Sequence, residues 1–286
     1  MQLVASAGLV PTSARSLPRL ALLQPHDVAE AVAVLAEAED PIVLAGGTDL
    51  VARFNEGLQP RELVDLSRLA ELRSIEFASG ALRIGAGVAH GVGSTHAAVV
   101  ERAPGFARAW ARIANPRIRF RATLGGNVMA RRVRYECSLL LTALQAQLEF
   151  ATPAGRSAMS PQDVWAGRVP ARSLLTAASI ETSGLVFFRY ERSLRPLMTL
   201  AVALRQTDAG LLLSCAVASE FLQPVLIDQP LPGMRPDQIA RNAKAIARDL
   251  FARLPAGFAD PVLSNPYART AGAVLLARQL ESIADD

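Results

Sequence analysis

The strongest constraint in this sequence is a pair of double-glycine segments, about 80 residues apart. The first is Leu44-Ala45-Gly46-Gly47-Thr48-Asp49, and the second is Thr123-Leu124-Gly125-Gly126-Asn127. Paired glycines allow backbone torsions that side chains forbid, and they let main-chain N–H groups approach a ligand closely. Such groups at a strand end or a helix start form anion sites, typically for phosphate. One such segment is most often a tight turn, whereas two of the same build predict a ligand with two linked phosphates.

The elements predicted around the first segment form a small parallel unit. Asp27 and Glu30 have the spacing of a helix capping box, so we expect a helix over residues 28–38. Residues 42–44 and 63–66 are typical of short buried strands. The first glycine segment follows one of these strands, at the edge of a parallel sheet where ligands tend to bind.

The rest of the chain mixes hairpins and helices. Hairpins are predicted over residues 74–85 and 148–159. Helical structure is predicted over 138–145 and over 91–113, the latter with a break at Pro104-Gly105 and a stop at Pro116. From about residue 180, the pattern predicts three strands at 185–190, 198–205 and 211–219, then helices that begin at Pro236 and Asn265. The chain is therefore expected to be an α+β protein.

Composition excludes several classes of protein. With 286 residues, 51% of them hydrophobic, the chain can bury a large core. A net charge of +4 is mild for this size and argues against nucleic-acid binding. Cys137 and Cys215 lack partners at metal-ligand spacing, so we expect two buried thiols in a reducing, cytoplasmic compartment. Neither a membrane span nor a signal peptide is predicted. For each of the three histidines, we favour a structural or surface role.

Several segments together resemble one family, the FAD-binding subunit of molybdenum hydroxylases. Its members include medium subunits of carbon monoxide dehydrogenase and of xanthine dehydrogenase-like and quinoline oxidoreductase-like complexes. The resembling segments are the two glycine segments, Leu63-Val64-Asp65-Leu66-Ser67, Leu82-Arg83-Ile84-Gly85-Ala86 and Ala114-Asn115-Pro116-Arg117-Ile118-Arg119. The resemblance covers roughly residues 22–180 by motif and continues beyond them by length and element order.

The resemblance implies a domain organisation. A loose arm would occupy residues 1–20, and a two-subdomain PCMH-type FAD-binding domain residues 21–180, divided into 21–72 and 73–180. A small C-terminal α+β domain, a three-stranded antiparallel sheet with helices, would occupy residues 181–286.

The resemblance also assigns residues to the cofactor. The first loop would cradle the pyrophosphate of FAD through Leu44, Ala45, Gly46, Gly47, Thr48 and Asp49. The second would hold the other side of the pyrophosphate and adjoining ribityl or ribose oxygens through Thr123, Gly125, Gly126 and Asn127.

Further cofactor contacts are implied outside the loops. Glu136 stands where the family has an acidic residue that holds a ribose hydroxyl; the alternative is a solvated charge stabilised by a helix dipole. The backbone at Leu174 or Leu175 would contact FAD, and Arg189 or Arg192 would face the flavin.

One stretch, Ala130-Arg131-Arg132-Val133-Arg134-Tyr135, departs from the family pattern of small residues and a proline. Its arginines either add positive charge near a phosphate or ribose, or form a solvated or partner-facing loop. The second interpretation is favoured.

The resemblance implies electron transfer, with no catalytic residue and no metal in this chain. Electrons from a molybdopterin-binding large subunit would cross the [2Fe-2S] clusters of a small subunit to FAD, and then reach an acceptor such as NAD, oxygen or a quinone. The alternative is a flavin-free structural or assembly subunit of such a complex. A free-standing nicotinamide dehydrogenase is disfavoured, because a Gly-x-Gly-x-x-Gly turn with a downstream acid is lacking.

Overall fold

The computed structural model describes residues 20–192 and 197–285, without the side chains of 284 and 285. The predicted N-terminal arm therefore lies almost entirely outside the described residues. Within the described ranges, the chain forms three β-sheets with helices between and around them.

The first sheet is parallel, with strand order β1-β3-β2. Its elements are β1 (Ala21–Leu23), α1 (Val28–Glu37), β2 (Pro41–Leu44), α2 (Leu50–Asn55) and β3 (Glu62–Asp65). Asp27 caps α1 by accepting the N–H of Glu30 at 2.7 Å, as the capping-box spacing predicts. The predicted parallel pair with a glycine loop at its edge is confirmed.

The second sheet has five antiparallel strands in the order β4-β5-β8-β6-β7. They are β4 (Ile75–Ala78), β5 (Ala81–Gly85), β6 (Gln147–Thr152), β7 (Gly155–Met159) and β8 (Leu174–Glu181). A 3₁₀ turn at Ala70–Arg73 leads into it. Both predicted hairpins form, but the central strand β8 was not predicted.

Seven short helices accompany this sheet in the described residues. They are α3 (His90–Gly93), α4 (Ala97–Arg102), α5 (Pro104–Trp110), α6 (Pro116–Arg119), α7 (Leu124–Met129), α8 (Cys137–Ala143) and α9 (Pro161–Trp165). The helical stretch predicted over 91–113 is three helices, and the predicted break at Pro104-Gly105 coincides with the start of α5. Pro116 is predicted to stop a helix but instead starts one, because Asn115 caps α6 and proline has no N–H to lose at the first helical position.

The third sheet is antiparallel and has four strands rather than the three expected, in the order β12-β11-β10-β9. The strands are β9 (Leu185–Arg192), β10 (Thr199–Thr207), β11 (Gly210–Ala218) and β12 (Val225–Leu231). The additional strand β12 contains Asp228 and Pro230, which read as a loop in sequence but are tolerated in an edge strand. The chain continues with α10 (Pro236–Arg241), α11 (Ala243–Ala252), α12 (Asn265–Glu281) and a 3₁₀ turn at Ser282–Asp285.

The third sheet is buried on both faces. Successive side chains along its strands point to opposite faces, and each face packs against a different core. Leu200, Val202 and Leu204 pack with the C-terminal helices α10–α12, whereas Ala201 and Ala203 belong to the core that includes α5 and α8. The small side chains on that second face allow the third sheet to approach the core with α5 and α8 closely. No helix in the described ranges is long and apolar enough to cross a membrane.

Candidate functional site

The first glycine loop joins the carboxyl end of β2 to the start of α2. Gly47 has a φ of +76°, in the left-handed region that favours glycine. Gly46 has a different requirement, since a Cβ built on it would lie 1.9 Å from the carbonyl oxygen of Arg121. Only glycine allows the first loop to touch the segment that leads into the second loop.

The donors of the first loop are available. The N–H groups of Gly46, Gly47 and Thr48 donate no hydrogen bond to any described residue, whereas the carbonyl of Gly47 accepts the N–H of Val51 at 2.9 Å. Successive unpaired N–H groups around a left-handed glycine form a concave site for anions. The chemistry of this loop therefore suits a phosphate or a diphosphate.

The second glycine loop uses its N–H groups within the protein. Thr123 caps α7 by accepting the N–H of Gly126 at 3.1 Å, and its carbonyl accepts the N–H of Asn127 at 2.9 Å. The N–H of Gly125 donates to the carbonyl of Ala86 at 2.8 Å. The two glycine segments predict that amides of both loops face one ligand. In the structure, the amides of the second loop instead bond within the protein, because this loop packs against the turn after β5.

The two loops are nevertheless neighbours. A Cβ built on Gly126 would lie 3.9 Å from the Cβ of Ala45. On the other side of the second loop, Oδ1 of Asn127 accepts the N–H of Cys137 at 3.2 Å and fixes the start of α8. The second loop therefore supports the first loop and orients helix α8.

The arginine-rich stretch divides between two neighbours. Nε of Arg132 lies 2.8 Å from Oδ1 of Asp49, and the hydroxyl of Tyr135 donates to the same oxygen at 2.9 Å. Burial, together with the hydrogen bond to Asp49, raises the pKa of Tyr135 to about 12. Arg134 instead pairs with Glu220, with 2.5 Å between Nη2 and Oε1. Arg132 thus contacts the end of the first glycine loop while its side chain stays 42% exposed, and whether the stretch faces solvent, a partner or the cofactor stays a prediction.

Glu136 is engaged by the C-terminal sheet. Its Oε1 accepts a hydrogen bond from the hydroxyl of Tyr190 and lies 3.0 Å from Nη1 of Arg192. The side chain of Glu136 is only 11% exposed, so it is not the solvated helix-start charge of the alternative interpretation. Burial and the nearby Glu136 carboxylate raise the pKa of Tyr190. Whether Glu136 also holds a ribose hydroxyl stays a prediction.

The other predicted contacts lie on strands. Leu174 and Leu175 are both buried at the start of β8, Leu174 in the core with α1 and Leu175 in the core of the five-stranded sheet. Arg189, on β9, lies over the ring of Phe187 with its Cζ 5.4 Å from the centroid. Their roles towards a cofactor stay predictions.

His90 is buried in the core of the second subdomain. Its Nδ1 accepts the indole N–H of Trp110 at 2.9 Å, and its main-chain N–H donates to the carbonyl of Ala122 at 2.9 Å. Burial, with a smaller effect of Arg119, lowers the pKa of His90 to about 4. A neutral imidazole thus braces the approach to the second loop, in a structural role.

Sequence reasoning missed Tyr135 and Tyr190, whose hydroxyls contact two predicted site residues. Tyr135 carried a weak signal, since it ends the arginine-rich stretch. Tyr190 carried none, because its partner is 54 residues away.

Comparison with known sequences places the chain in a class. A family profile described as "FAD binding domain in molybdopterin dehydrogenase" matches residues 18–180. The nicotine 6-hydroxylase medium subunit of Paenarthrobacter nicotinovorans is 31% identical over 167 residues, 58% of this chain and 58% of that protein. The carbon monoxide dehydrogenase medium chain of Hydrogenophaga pseudoflava is 33% identical over 141 residues, 49% of each chain. The aligned stretch thus spans about half the length of these relatives.

Solved structures share the fold over nearly the whole chain. Quinoline 2-oxidoreductase from Pseudomonas putida 86 superposes with a TM-score of 0.79 at 22% identity, covering 95% of this chain and 99% of that one. Reconstituted CO dehydrogenase from Oligotropha carboxidovorans gives 0.80 at 24% identity, covering 95% and 100%. The sheet-plus-helix region at the C-terminal end is part of this shared fold.

Fold and loops together define a flavoprotein with several β-sheets and a C-terminal sheet-plus-helix region. The division into two subdomains and a separate C-terminal domain stays a prediction. The chain belongs to the family of FAD-binding domains of molybdopterin dehydrogenases, and its cofactor is FAD. The residues fit that group, because the first loop offers unpaired N–H donors around a left-handed glycine, where FAD carries a diphosphate. The resemblance read from the sequence is thereby confirmed.

Proposed function

We propose that this chain is the electron-transferring FAD subunit of a molybdenum hydroxylase complex. It would take electrons from [2Fe-2S] clusters of a small partner subunit, which receive them from a molybdopterin-binding large subunit. The observation that carries the proposal is the first loop, whose amides at Gly46, Gly47 and Thr48 bond to no described part of the chain and suit a diphosphate. When bound, FAD supplies two-electron and one-electron redox chemistry, which exchanges electrons between iron–sulfur clusters and an external acceptor.

The residues of this chain bind and orient the cofactor. The first loop would hold the diphosphate, while the backbone of Arg121 and Ala122, which leads into the second loop, packs against Gly46 and keeps the first loop in place. Glu136, Leu174 and Arg189 are the further predicted contacts. We also propose a cytoplasmic location, because Cys137 and Cys215 are buried free thiols that suit a reducing compartment.

The first experiment asks whether the purified full chain carries flavin. The visible absorption spectrum of the protein is recorded, and the flavin released on denaturation is identified by chromatography against FAD, FMN and riboflavin. We expect stoichiometric FAD, or its uptake from added FAD. A colourless chain that does not take up added FAD would exclude the proposal and leave the flavin-free assembly subunit.

The second experiment addresses electron flow. The neighbouring genes are first searched for molybdopterin and [2Fe-2S] subunits, the chain is co-expressed with those found, and the purified complex is mixed rapidly with a reductant of the iron–sulfur clusters. Flavin bleaching that follows cluster reduction, and recovers on adding NAD, oxygen or a quinone, supports the proposed direction and names the acceptor. Failure of these subunits to assemble, or clusters that stay reduced beside an oxidised flavin, would contradict it.

A further inference from the structure

The first glycine loop carries an acidic side chain at its end. Asp49 follows the amides of Gly46, Gly47 and Thr48, and its side chain is 20% exposed. A carboxylate beside a bound diphosphate repels it, and partial burial strengthens the repulsion because screening by water and salt is reduced. An anion site at this loop therefore needs a compensating positive charge.

Arg132 is placed to supply that charge. Its Nε lies 2.8 Å from Oδ1 of Asp49, and its side chain remains 42% exposed. The other acidic neighbour, Glu56, has its Oε2 3.9 Å from Nη2 of Arg132, too far for a hydrogen bond. A guanidinium has five donors and Asp49 takes one, so the terminal N–H groups of Arg132 donate no hydrogen bond within the described residues.

The other two arginines of the stretch point elsewhere. Arg134 is paired with Glu220 of the C-terminal region, at 2.5 Å. Nη1 of Arg131 lies 3.7 Å from the position a Cβ on Gly167 would take. Arg131 also has a φ of +47°, an unusual value for a side-chain-bearing residue, and this turn separates its direction from that of Arg132.

We propose that Arg132 is an additional diphosphate-binding residue of this chain, which pairs with Asp49 through Nε and offers its terminal N–H groups to the diphosphate of FAD. The proposal rests on the proposed function, since it concerns the same cofactor site. The arginine-rich stretch, which departs from the family pattern, would thus have a binding role that the family's small residues cannot have. Tyr135, through its hydrogen bond to Asp49, is a positioning residue that holds the carboxylate towards Arg132.

The test measures dissociation constants of the full chain, freed of flavin, for three probes. FAD and ADP both carry a diphosphate, whereas riboflavin has no phosphate. We expect Arg132→Gln to weaken FAD and ADP binding at least tenfold and riboflavin binding less than twofold. The tenfold loss should shrink at high ionic strength, because salt screens an exposed guanidinium. The matched controls Arg131→Gln and Arg134→Gln should change all three constants less than twofold.

Further comparisons distinguish a failure of this proposal from a failure of the proposed function. If the unaltered chain binds FAD, and Arg132→Gln binds FAD and ADP as tightly as the unaltered chain does, Arg132 has no role and the proposed function stands. If the unaltered chain does not bind FAD at all, the proposed function itself fails. The double variant Asp49→Asn with Arg132→Gln asks whether Arg132 only neutralises Asp49: full recovery of ADP affinity would overturn a direct contact, and persistent weakening supports it. Thermal unfolding of each variant without ligand verifies that it is folded.

Discussion

The backbones of Gly46 and Arg121 are in close contact where the two glycine loops meet. A Cβ on Gly46 would lie 1.9 Å from the carbonyl oxygen of Arg121 and 2.9 Å from the Cα of Ala122. Both obstacles are backbone atoms, which cannot rotate away as a side-chain tip can. This contact ties the parallel unit at the N-terminal end to the segment that enters the second loop, and so fixes the site.

We predict that Gly46→Ala separates the loops. The substitution should lower the free energy of unfolding by about 1–3 kcal/mol through overpacking, and weaken FAD binding more than tenfold. The measurements are urea unfolding and FAD titration. The matched control is Gly257→Ala, since nothing lies within 4 Å of a Cβ at Gly257. Gly46→Ala with unchanged FAD affinity would show that contact between the loops is not needed for binding.

Tyr190 and Glu136 join the C-terminal sheet to the start of α8, and Tyr190→Phe should weaken that joint. A hydrogen bond to a charged group contributes about 1.5–3 kcal/mol, and Arg192 limits the cost of losing it because its guanidinium still pairs with the carboxylate. We expect a loss of about 1–3 kcal/mol by urea unfolding. Tyr267→Phe, at a half-exposed tyrosine, should change stability by less than about 0.5 kcal/mol. Equal effects of the two variants would contradict a specific role for Tyr190.

His90 should make stability depend on pH. Burial lowers its pKa from 6.5 to about 4, so between these values the unfolded chain binds a proton that the folded chain does not. The contribution of the neutral His90 to the free energy of unfolding is fully present above pH 6.5 and is lost as the pH falls to 4. It amounts to about 3 kcal/mol in all. The measurement is urea unfolding from pH 4 to 7 for the unaltered chain and for His90→Gln.

The difference between those two pH profiles isolates His90 from the carboxylates that titrate in the same range. His90→Gln should therefore have a flatter profile than the unaltered chain. Parallel profiles for the two proteins would mean that the imidazole is not held neutral.

The two thiols should be unreactive in the folded chain. Burial raises the pKa of both Cys137 and Cys215, which suppresses the reactive thiolate. We expect a disulfide reagent to modify neither thiol at neutral pH until denaturant is added, and then to modify both. Ala154→Cys, at an exposed turn, provides the reactive comparison. Rapid modification of the unaltered folded chain would show that one thiol is accessible.

Local signals allowed the elements with clear ends to be predicted from sequence. Asp27 marked the start of α1, and the turns at residues 79–80 and 153–155 marked two hairpins. The strand β8 was missed because it is buried on both faces, so its polar and apolar residues do not alternate. The strand β12 was missed because Pro230 reads as a strand breaker, although the edge of a sheet accepts it.

The site could be predicted only where a local motif encodes it. The glycine loops were visible because paired glycines are a local motif: Gly47 answers a local backbone need, although the need for glycine at Gly46 comes from the distant Arg121. The pairing of Arg132 with Asp49 joins residues 83 positions apart and leaves no periodic or local trace. Likewise, only the folded chain shows that the amide of Gly125 is already bonded to Ala86.

The role of the first loop can be measured by amide hydrogen exchange with and without FAD. If the diphosphate is held by Gly46, Gly47 and Thr48, FAD should slow exchange at these amides at least tenfold, because no described residue accepts a hydrogen bond from them. The amides of Gly125 and Gly126 are already bonded and should change far less. FAD that binds without protecting residues 46–48, or that protects only the second loop, would show that the diphosphate lies elsewhere.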